Sequence, residues 1–215
     1  MQKKLLDFAA LMGLKLSDRA VDLLMQYAEL VWQKKDTLNL TSVSDKNEII
    51  TRHICDGLVA ANLVTKEYKG QKNFTAADMG CGAGYIGLVI AIVLPEVKVV
   101  LVESLQRRCA FLNWVIMKLG LTNVQVLCVR LGQADVGLFD IVTERAMGQL
   151  EAIFPLIVPT LKEGGRFLAY QSAGKSGNEQ LPLQMQVKEE KPYMYRLPDE
   201  QKDRYIRIFL KHGHH

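Results

Sequence analysis

A glycine-rich segment between a strand-like run and a helix-like run most constrains what this chain of 215 residues can fold into. It spans Asp78–Gly87 and reads D-M-G-C-G-A-G-Y-I-G. Four glycines in eight residues let the chain turn tightly, and they let backbone N–H groups approach a ligand without a Cβ in the way. Glycine loses more conformational entropy on folding than other residues, so four glycines in a turn that binds no ligand would destabilise the fold without a functional benefit. We therefore predict a ligand site here.

An acidic residue follows at the end of the next predicted strand. Glu103 stands about 20 residues after the glycines, where a carboxylate grips the ribose hydroxyls in nucleotide-binding α/β folds. Three of the glycines also match the dinucleotide pattern G-x-G-x-x-G, so a nicotinamide oxidoreductase is an alternative. Asp78, two residues before the first glycine, favours S-adenosylmethionine instead, because its carboxylate can contact the ammonium group of that cofactor.

Strand-like and helix-like runs alternate after residue 70, which predicts βαβ units and a parallel sheet. The predicted strands are 74–79, 97–102, 124–129, 139–143 and 166–170, with helices over 85–94, 105–119 and 149–161 and a turn at 164–165. The tail predicts an antiparallel pair of strands over 186–195 and 205–211.

Residues 1–70 instead show the spacing of helices. We predict one helix over 3–12, a second capped by Ser17 that runs to about residue 35, and a third capped by Ser44 that ends near residue 64. The chain therefore divides into a helical extension, 1–70, and an α/β domain, 71–215.

Composition bounds the cellular context. The four cysteines, Cys55, Cys81, Cys109 and Cys128, have no regular spacing, so we expect reduced thiols. No signal-peptide pattern opens the chain, and its longest apolar run is far shorter than the roughly 20 residues of a membrane span. We therefore expect a cytoplasmic protein that is not associated with a membrane. The net charge of +4 permits an anionic partner. The closing run 212–215 resembles a tag remnant or a frayed end more than a metal site.

The pattern D-x-G-x-G-x-G followed by a strand-terminal glutamate resembles the loop of class I methyltransferases. The residue types limit which atom such an enzyme can methylate. Methylation at pyrimidine C5 needs a cysteine nucleophile, and no Pro-Cys dipeptide occurs. Methylation of an adenine amine usually goes with an Asn/Asp-Pro-Pro-aromatic segment after the fourth strand, where this chain has V-T-E-R-A at 142–146. Guanine N7 carries an exposed lone pair and needs positioning rather than a base, which fits the absence of an obvious base or nucleophile.

Five segments spread along the chain resemble one family. They are Asn39–Thr41, His53–Leu58, Asp78–Gly87, Leu101–Ser104 and Glu144–Ala146. Over roughly residues 1–211 the chain is similar to the bacterial 16S ribosomal RNA guanine-N7 methyltransferases, also called glucose-inhibited division protein B. The resemblance implies a class I S-adenosylmethionine-dependent methyltransferase: a Rossmann-like, three-layer α/β/α fold with a seven-stranded sheet and an N-terminal helical extension.

The same resemblance implies an activity and a partner. A methyl group would pass from S-adenosylmethionine to N7 of a guanine in 16S ribosomal RNA, with release of S-adenosylhomocysteine. The partner would be that RNA or the small ribosomal subunit, and we expect a monomer and no metal. Another RNA substrate, or a non-catalytic relative that binds RNA or the ribosome, are the alternatives.

The residues and the resemblance together give a set of candidate site residues. For the cofactor we expect Asp78, Gly80, Gly82, Gly84, Tyr85, Glu103, Leu131, Gly132 and Arg145. For the catalytic side we expect Arg145, His53, Asp56 and Asn39. Local alternatives stay open: an ion pair for Arg145, a hydrogen-bonded pair for His53 and Asp56, and a turn-shaping role for Asn39.

Other positions carry weaker expectations. The chain departs from the family at Ile86, at Gly132, where the family has a glutamate, and at Glu144. Arg107 and Arg108 open a helix beside the cofactor strand and can touch phosphates or lie on a solvated face. The tail's basic residues, Lys202, Arg204 and Arg207, are expected to be ordinary surface charge.

Overall fold

The alternation after residue 70 forms one mixed β-sheet in the computed structural model, which describes residues 1–171 and 187–212. Its order is β3-β2-β1-β4-β5-β8-β6, and β7 also pairs with β8. The first five strands pair in parallel, and β8 is antiparallel to β5. The strands are β1 Thr75–Met79, β2 Lys98–Glu103, β3 Val124–Cys128, β4 Phe139–Glu144, β5 Leu161–Gln171, β6 Val187–Glu189, β7 Tyr193–Tyr195 and β8 Arg204–Lys211.

Seven α-helices accompany the strands of the described residues. They are α1 Gln2–Leu11, α2 Asp18–Leu38, α3 Lys46–Glu48, α4 Cys55–Tyr68, α5 Gly87–Val93, α6 Gln106–Leu119 and α7 Leu150–Ile157. The predicted cap of α2 is confirmed, because Ser17 accepts a hydrogen bond from the Ala20 N–H. The Ser44 cap is wrong: the Asp45 carboxylate accepts the Asn47 N–H at 2.9 Å, and a π-helical segment, Ile49–Ile54, joins α3 to α4.

Apolar side chains cover both faces of the central strands, which explains why β1, β2 and β4 are buried along most of their length. On one face Ala76, Leu101 and Ile141 share a buried cluster with the helices that precede β1 and with α5 and α6. On the other face, the strand residues that alternate with these along the chain pack against α7. The three-layer α/β/α class is therefore confirmed, whereas a division of the chain near residue 70 stays a prediction.

Two predicted boundaries near β5 are wrong. The helix predicted over 149–161 ends at Ile157 and continues as a short 3₁₀ turn, so that β5 begins at Leu161. The predicted turn at 164–165 lies inside β5 as an irregularity in its pairing with β4. Glycine is needed there because a Cβ on Gly165 would lie 2.9 Å from the Phe139 carbonyl oxygen.

The tail strand predicted over 186–195 is two strands, β6 and β7, which both pair with β8. Among the described residues the sheet therefore has eight strands, so the expectation of seven is wrong. Pro192 lies between them and has no N–H to donate to a ladder, which accounts for the break. The predicted residue 186 and most of the run 212–215 lie outside the described residues. Among the helices of the described part, none is long and apolar enough to cross a membrane.

Candidate functional site

A cleft of about 830 Å³ opens at the carboxyl ends of the central strands. Its walls come from the glycine segment after β1, the end of β4, the start of α4 and the first residue of β8. Ligands of open α/β sheets bind at this edge, where neighbouring parallel strands diverge. Of the predicted residues, the cleft brings together seven: His53, Asp56, Asp78, Gly80, Gly82, Tyr85 and Arg145.

The glycines of the segment serve different purposes. Gly80, Gly82 and Gly84 all have positive φ, which a side chain would oppose. A Cβ on Gly80 would collide with Met147, and one on Gly84 would lie 2.7 Å from a Leu88 methyl group. Gly82 alone of the three faces open space, so it presents its backbone to the cleft.

Asp78 ties the glycine segment to the sheet. Its Oδ2 accepts the Gly87 N–H at 2.9 Å, and its Oδ1 accepts the Thr143 hydroxyl at 3.0 Å. Burial raises the pKa of this carboxyl group to about 6, although these two hydrogen bonds oppose the shift. A cationic ligand group in the cleft would favour the ionised form.

Glu103 lies directly behind Gly82. Its Oε2 accepts the Gly82 N–H at 3.0 Å, while Oε1 accepts the N–H groups of Ser104 and Leu105 at 2.8 and 2.9 Å. An ionised carboxylate offers about four acceptor positions, so these three bonds orient Glu103 and leave one position. Glu103 is buried, and neither it nor Gly84 lines the cleft.

Arg145 contacts three other residues of the cleft. Its Nη1 donates to Asp56 Oδ2 at 2.8 Å and lies 3.3 Å from His53 Nδ1. Its guanidinium carbon stands 5.2 Å from the ring centre of Tyr85. The side chain of Asp56 is fully buried, so this ion pair is held in one geometry. The ion pair that was the alternative prediction for Arg145 is therefore present. It is compatible with a ligand-binding role for the same side chain.

His53 is neutral in this arrangement. Burial, followed by the charge of Arg145, lowers its pKa to about 3. A guanidinium only donates, so Nδ1 is the acceptor and the proton lies on Nε2, which donates to Thr41 Oγ1 at 2.7 Å. The imidazole also stacks on Tyr85, with ring centres 4.2 Å apart. His53 and Asp56 thus meet through Arg145 instead of forming a pair of their own.

The carboxylate of Asp56 has further partners that sequence reasoning missed. Arg204 Nη1 donates to Oδ2 at 3.3 Å, and the Tyr195 hydroxyl donates to Oδ1 at 2.7 Å. The Tyr170 hydroxyl donates to the backbone carbonyl of Asp56 at 2.7 Å. No local sequence pattern predicts these contacts, because they depend on how β5, β7 and β8 are arranged in the sheet.

The expectation of surface charge in the tail is wrong at two positions. Arg204 lines the cleft, and Arg207 is buried with its Nε donating to Glu189 Oε1 at 2.7 Å. Arg204 begins β8 and Arg207 lies within it. The position of β8 between β5 and β6 could not be predicted from charge alone.

The remaining predicted residues lie apart from the main cleft. Asn39 is exposed at the end of α2, where its carbonyl oxygen accepts from Arg108 Nη2 at 3.3 Å. Leu131 is buried in the core beside α7, and a Cβ on Gly132 would lie 3.0 Å from Leu156. A second cavity of about 550 Å³ opens near these two residues, beyond the ends of β2 and β3.

The cysteines differ from expectation. Cys109 and Cys128 form a disulfide, with Cα atoms 5.8 Å apart, so the prediction of four reduced thiols is wrong for this pair. The end of β3 lies beside the first turn of α6, which brings together two residues with no spacing motif. Cys55 and Cys81 are free and buried. In the part of the chain that the structure describes, no cluster of three or more His, Cys, Asp or Glu could hold a metal ion.

Comparison with known proteins gives consistent matches. The family model described as GidB, rRNA small subunit methyltransferase G, matches residues 20–205. The ribosomal RNA small subunit methyltransferase G of Carboxydothermus hydrogenoformans is 31% identical over 98% of this chain and 92% of its own length. The protein of the same name from Sorangium cellulosum is 36% identical over 80% and 72%.

A solved structure supports the fold. It comes from Listeria monocytogenes and is described as a class I S-adenosylmethionine-dependent methyltransferase. It superimposes with a TM-score of 0.67 at 15% identity, covering 88% of this chain and 69% of that one. At this identity the likeness establishes the architecture.

Proposed function

Because this chain belongs to the GidB family of rRNA small subunit methyltransferase G, we propose that it methylates N7 of a guanine in 16S ribosomal RNA with S-adenosylmethionine as donor. The family match over residues 20–205 carries this proposal, since it includes the glycine segment, Glu103 and the Arg145 cluster. A nicotinamide oxidoreductase would not share that match.

The residues of the cleft fit the proposed cofactor. Gly82 and Asp78 line the cleft and offer open backbone and a carboxylate for the ammonium group. Glu103, buried directly behind Gly82, would provide the carboxylate for the ribose. S-adenosylmethionine supplies an electrophilic methyl group on a sulfonium, and S-adenosylhomocysteine is the product. Leu131 and Gly132 would border the adenine from the side of the second cavity.

Arg145 is the proposed recognition group for the target base. Within the described residues its hydrogen bonds use Nη1, so Nε and Nη2 remain to donate. Guanine presents two acceptors on its outer edge, N7 and O6, whereas adenine presents an amine donor in place of O6. A bond from Arg145 to O6 would favour guanine and leave N7 free to react.

The cluster around Asp56 positions this arginine rather than acting as a base. Guanine N7 attacks with its own lone pair and loses no proton, so the reaction needs alignment and exclusion of water. His53 is neutral, and its Nδ1 faces a donor from Arg145, which agrees with a reaction that requires no proton acceptor. Arg108 donates a hydrogen bond to the carbonyl oxygen of Asn39, and both residues would lie on the side where RNA approaches. The proposal includes a cytoplasmic location and a monomeric protein.

The test is methyl transfer in vitro. The protein is incubated with labelled S-adenosylmethionine and either unmodified 16S ribosomal RNA or small subunits, and the digested nucleosides are identified by mass spectrometry. We expect N7-methylguanosine. A methyl group on another atom or another RNA would support a different class I methyltransferase, and cofactor binding without transfer would support a non-catalytic relative.

A further inference from the structure

The disulfide between Cys109 and Cys128 lies at the edge of the cofactor site and takes no part in methyl transfer. Cys109 is buried in the first turn of α6, whereas Cys128 is exposed at the end of β3. In the described sheet β3 is an edge strand. An external thiol can therefore approach the bond from the side of Cys128.

The other two cysteines would not compete in such a reaction. Cys55 and Cys81 are both buried, and burial raises the pKa of both thiols. Because the thiolate is the nucleophile, buried thiols of raised pKa are inert. Thiol exchange on the folded protein is thus restricted to the Cys109–Cys128 pair.

The bond is coupled by geometry to the carboxylate that would hold the ribose. Cys128 pairs in register with Glu103 across β2 and β3. Cys109 follows Arg108, whose Nη1 lies 3.8 Å from Glu103 Oε2. The start of α6 lacks a side-chain cap at Leu105, so it is held by the Glu103 carboxylate and by the disulfide.

The bond also joins two walls of the second cavity. Ser104 and Leu105 line it from the start of α6, and Cys128 and Arg130 line it from the end of β3. Leu131 and Gly132, the residues proposed for the adenine, continue directly from the second wall. A cross-link between the walls would preorganise this side of the cofactor site.

We propose that Cys109 and Cys128 are a reversible thiol–disulfide site that a dithiol reductant opens, and that the closed form binds the cofactor more tightly. Disulfides in cytosolic proteins are usually transient and redox-sensing, which fits an exposed bond beside a ligand site. The second half of this inference rests on the proposed function.

The exchange is balanced by the reductant. A thiolate of the dithiol attacks Sγ of Cys128, forms a mixed disulfide and releases Cys109 as a thiolate, which takes up a proton. The second thiol of the reductant then attacks its own sulfur in the mixed disulfide and releases Cys128, which is protonated in turn. The protein gains two electrons and two protons, and the reductant becomes a disulfide.

The test compares the two forms of the whole protein. Protein equilibrated with oxidised or with reduced dithiothreitol is alkylated without unfolding, and the labelled residues are mapped by mass spectrometry. Binding of S-adenosylhomocysteine is measured by calorimetry for both forms. Cys128→Ser is the control, since it cannot form the bond and should bind alike in both conditions.

We expect reduction to add one label, at the exposed Cys128, because Cys109 is buried like the two free cysteines. Reduction should also weaken S-adenosylhomocysteine binding about three- to tenfold. Labelling of Cys128 in the oxidised sample, or no labelling of Cys128 after reduction, would overturn the exchange site. Equal affinities of the two forms would overturn the coupling. If labelling switches while neither form binds S-adenosylhomocysteine, the exchange site stands and the proposed cofactor is what fails.

Discussion

Replacement of Asp56 by asparagine removes the negative charge that Arg145 and Arg204 share. Removing one partner of a buried ion pair costs about 3–5 kcal/mol. The two arginine side chains are 22% and 25% exposed, so solvent screens part of their charge. We therefore expect a loss of about 2–3 kcal/mol in the free energy of unfolding. For a chain of this size that lowers the melting temperature by roughly 5–10 °C, measurable by circular dichroism.

The effect on activity should be larger than the effect on binding. Asp56 fixes the position of Arg145, and a misplacement of about 1 Å in a positioning group can reduce the rate by about 100-fold. We expect kcat for methyl transfer to fall by about that factor. The affinity for S-adenosylhomocysteine should stay within about threefold, because among the described residues the Asp56 carboxylate bonds to Arg145, Tyr195 and Arg204 and not to the glycine segment.

Asp140→Asn is a matched control at the opposite end of β4. Its Oδ2 accepts the Thr75 N–H at 2.8 Å and the Lys162 ammonium at 2.7 Å, far from the cleft. This variant should lose about 1–2 kcal/mol of stability and keep its kcat. A folded Asp56→Asn protein with wild-type kcat, or an Asp140→Asn protein equally impaired, would refute the positioning role.

Three further outcomes follow from the same geometry. Arg145→Ala should abolish transfer and still fold, because Arg204 continues to neutralise Asp56; wild-type turnover in this variant would remove Arg145 from the site. Gly82→Ala should cost about 1 kcal/mol of stability, because its φ is +60°, and should weaken cofactor binding more than tenfold by calorimetry. Because the pKa of Asp78 is raised to about 6, cofactor affinity should be highest near pH 7 and fall by about tenfold per pH unit below pH 6, as the carboxylate that attracts the ammonium group is protonated. Asp78→Asn should bind weakly with no such dependence, and an unchanged pH profile would exclude Asp78 from the ammonium site.

The position of the glycine segment was predictable because its signals are local. Asp78 and Glu103 lie at the carboxyl ends of β1 and β2, and parallel strands bring these ends to one edge of the sheet. Their roles toward a cofactor stay predictions. The hydrophobic alternation likewise predicted the layers, since each strand run and each helix carries its own periodicity.

The opposite side of the cleft depends on contacts between distant parts of the chain. Tyr195 and Arg204 reach Asp56 across 139 and 148 residues of sequence. Their positions follow from the antiparallel register of β8 against β5 and β7, which no short pattern encodes. The disulfide has the same origin, because the ends of α6 and β3 meet only once the sheet is assembled.

Nucleoside mass spectrometry of 16S ribosomal RNA from a strain that lacks this gene tests the proposed activity most directly. The guanine N7 methyl group should be absent from the deletion strain, return with the wild-type gene, and stay absent with the Arg145→Ala gene. Persistence of that methyl group in the deletion strain would contradict the assignment of the substrate.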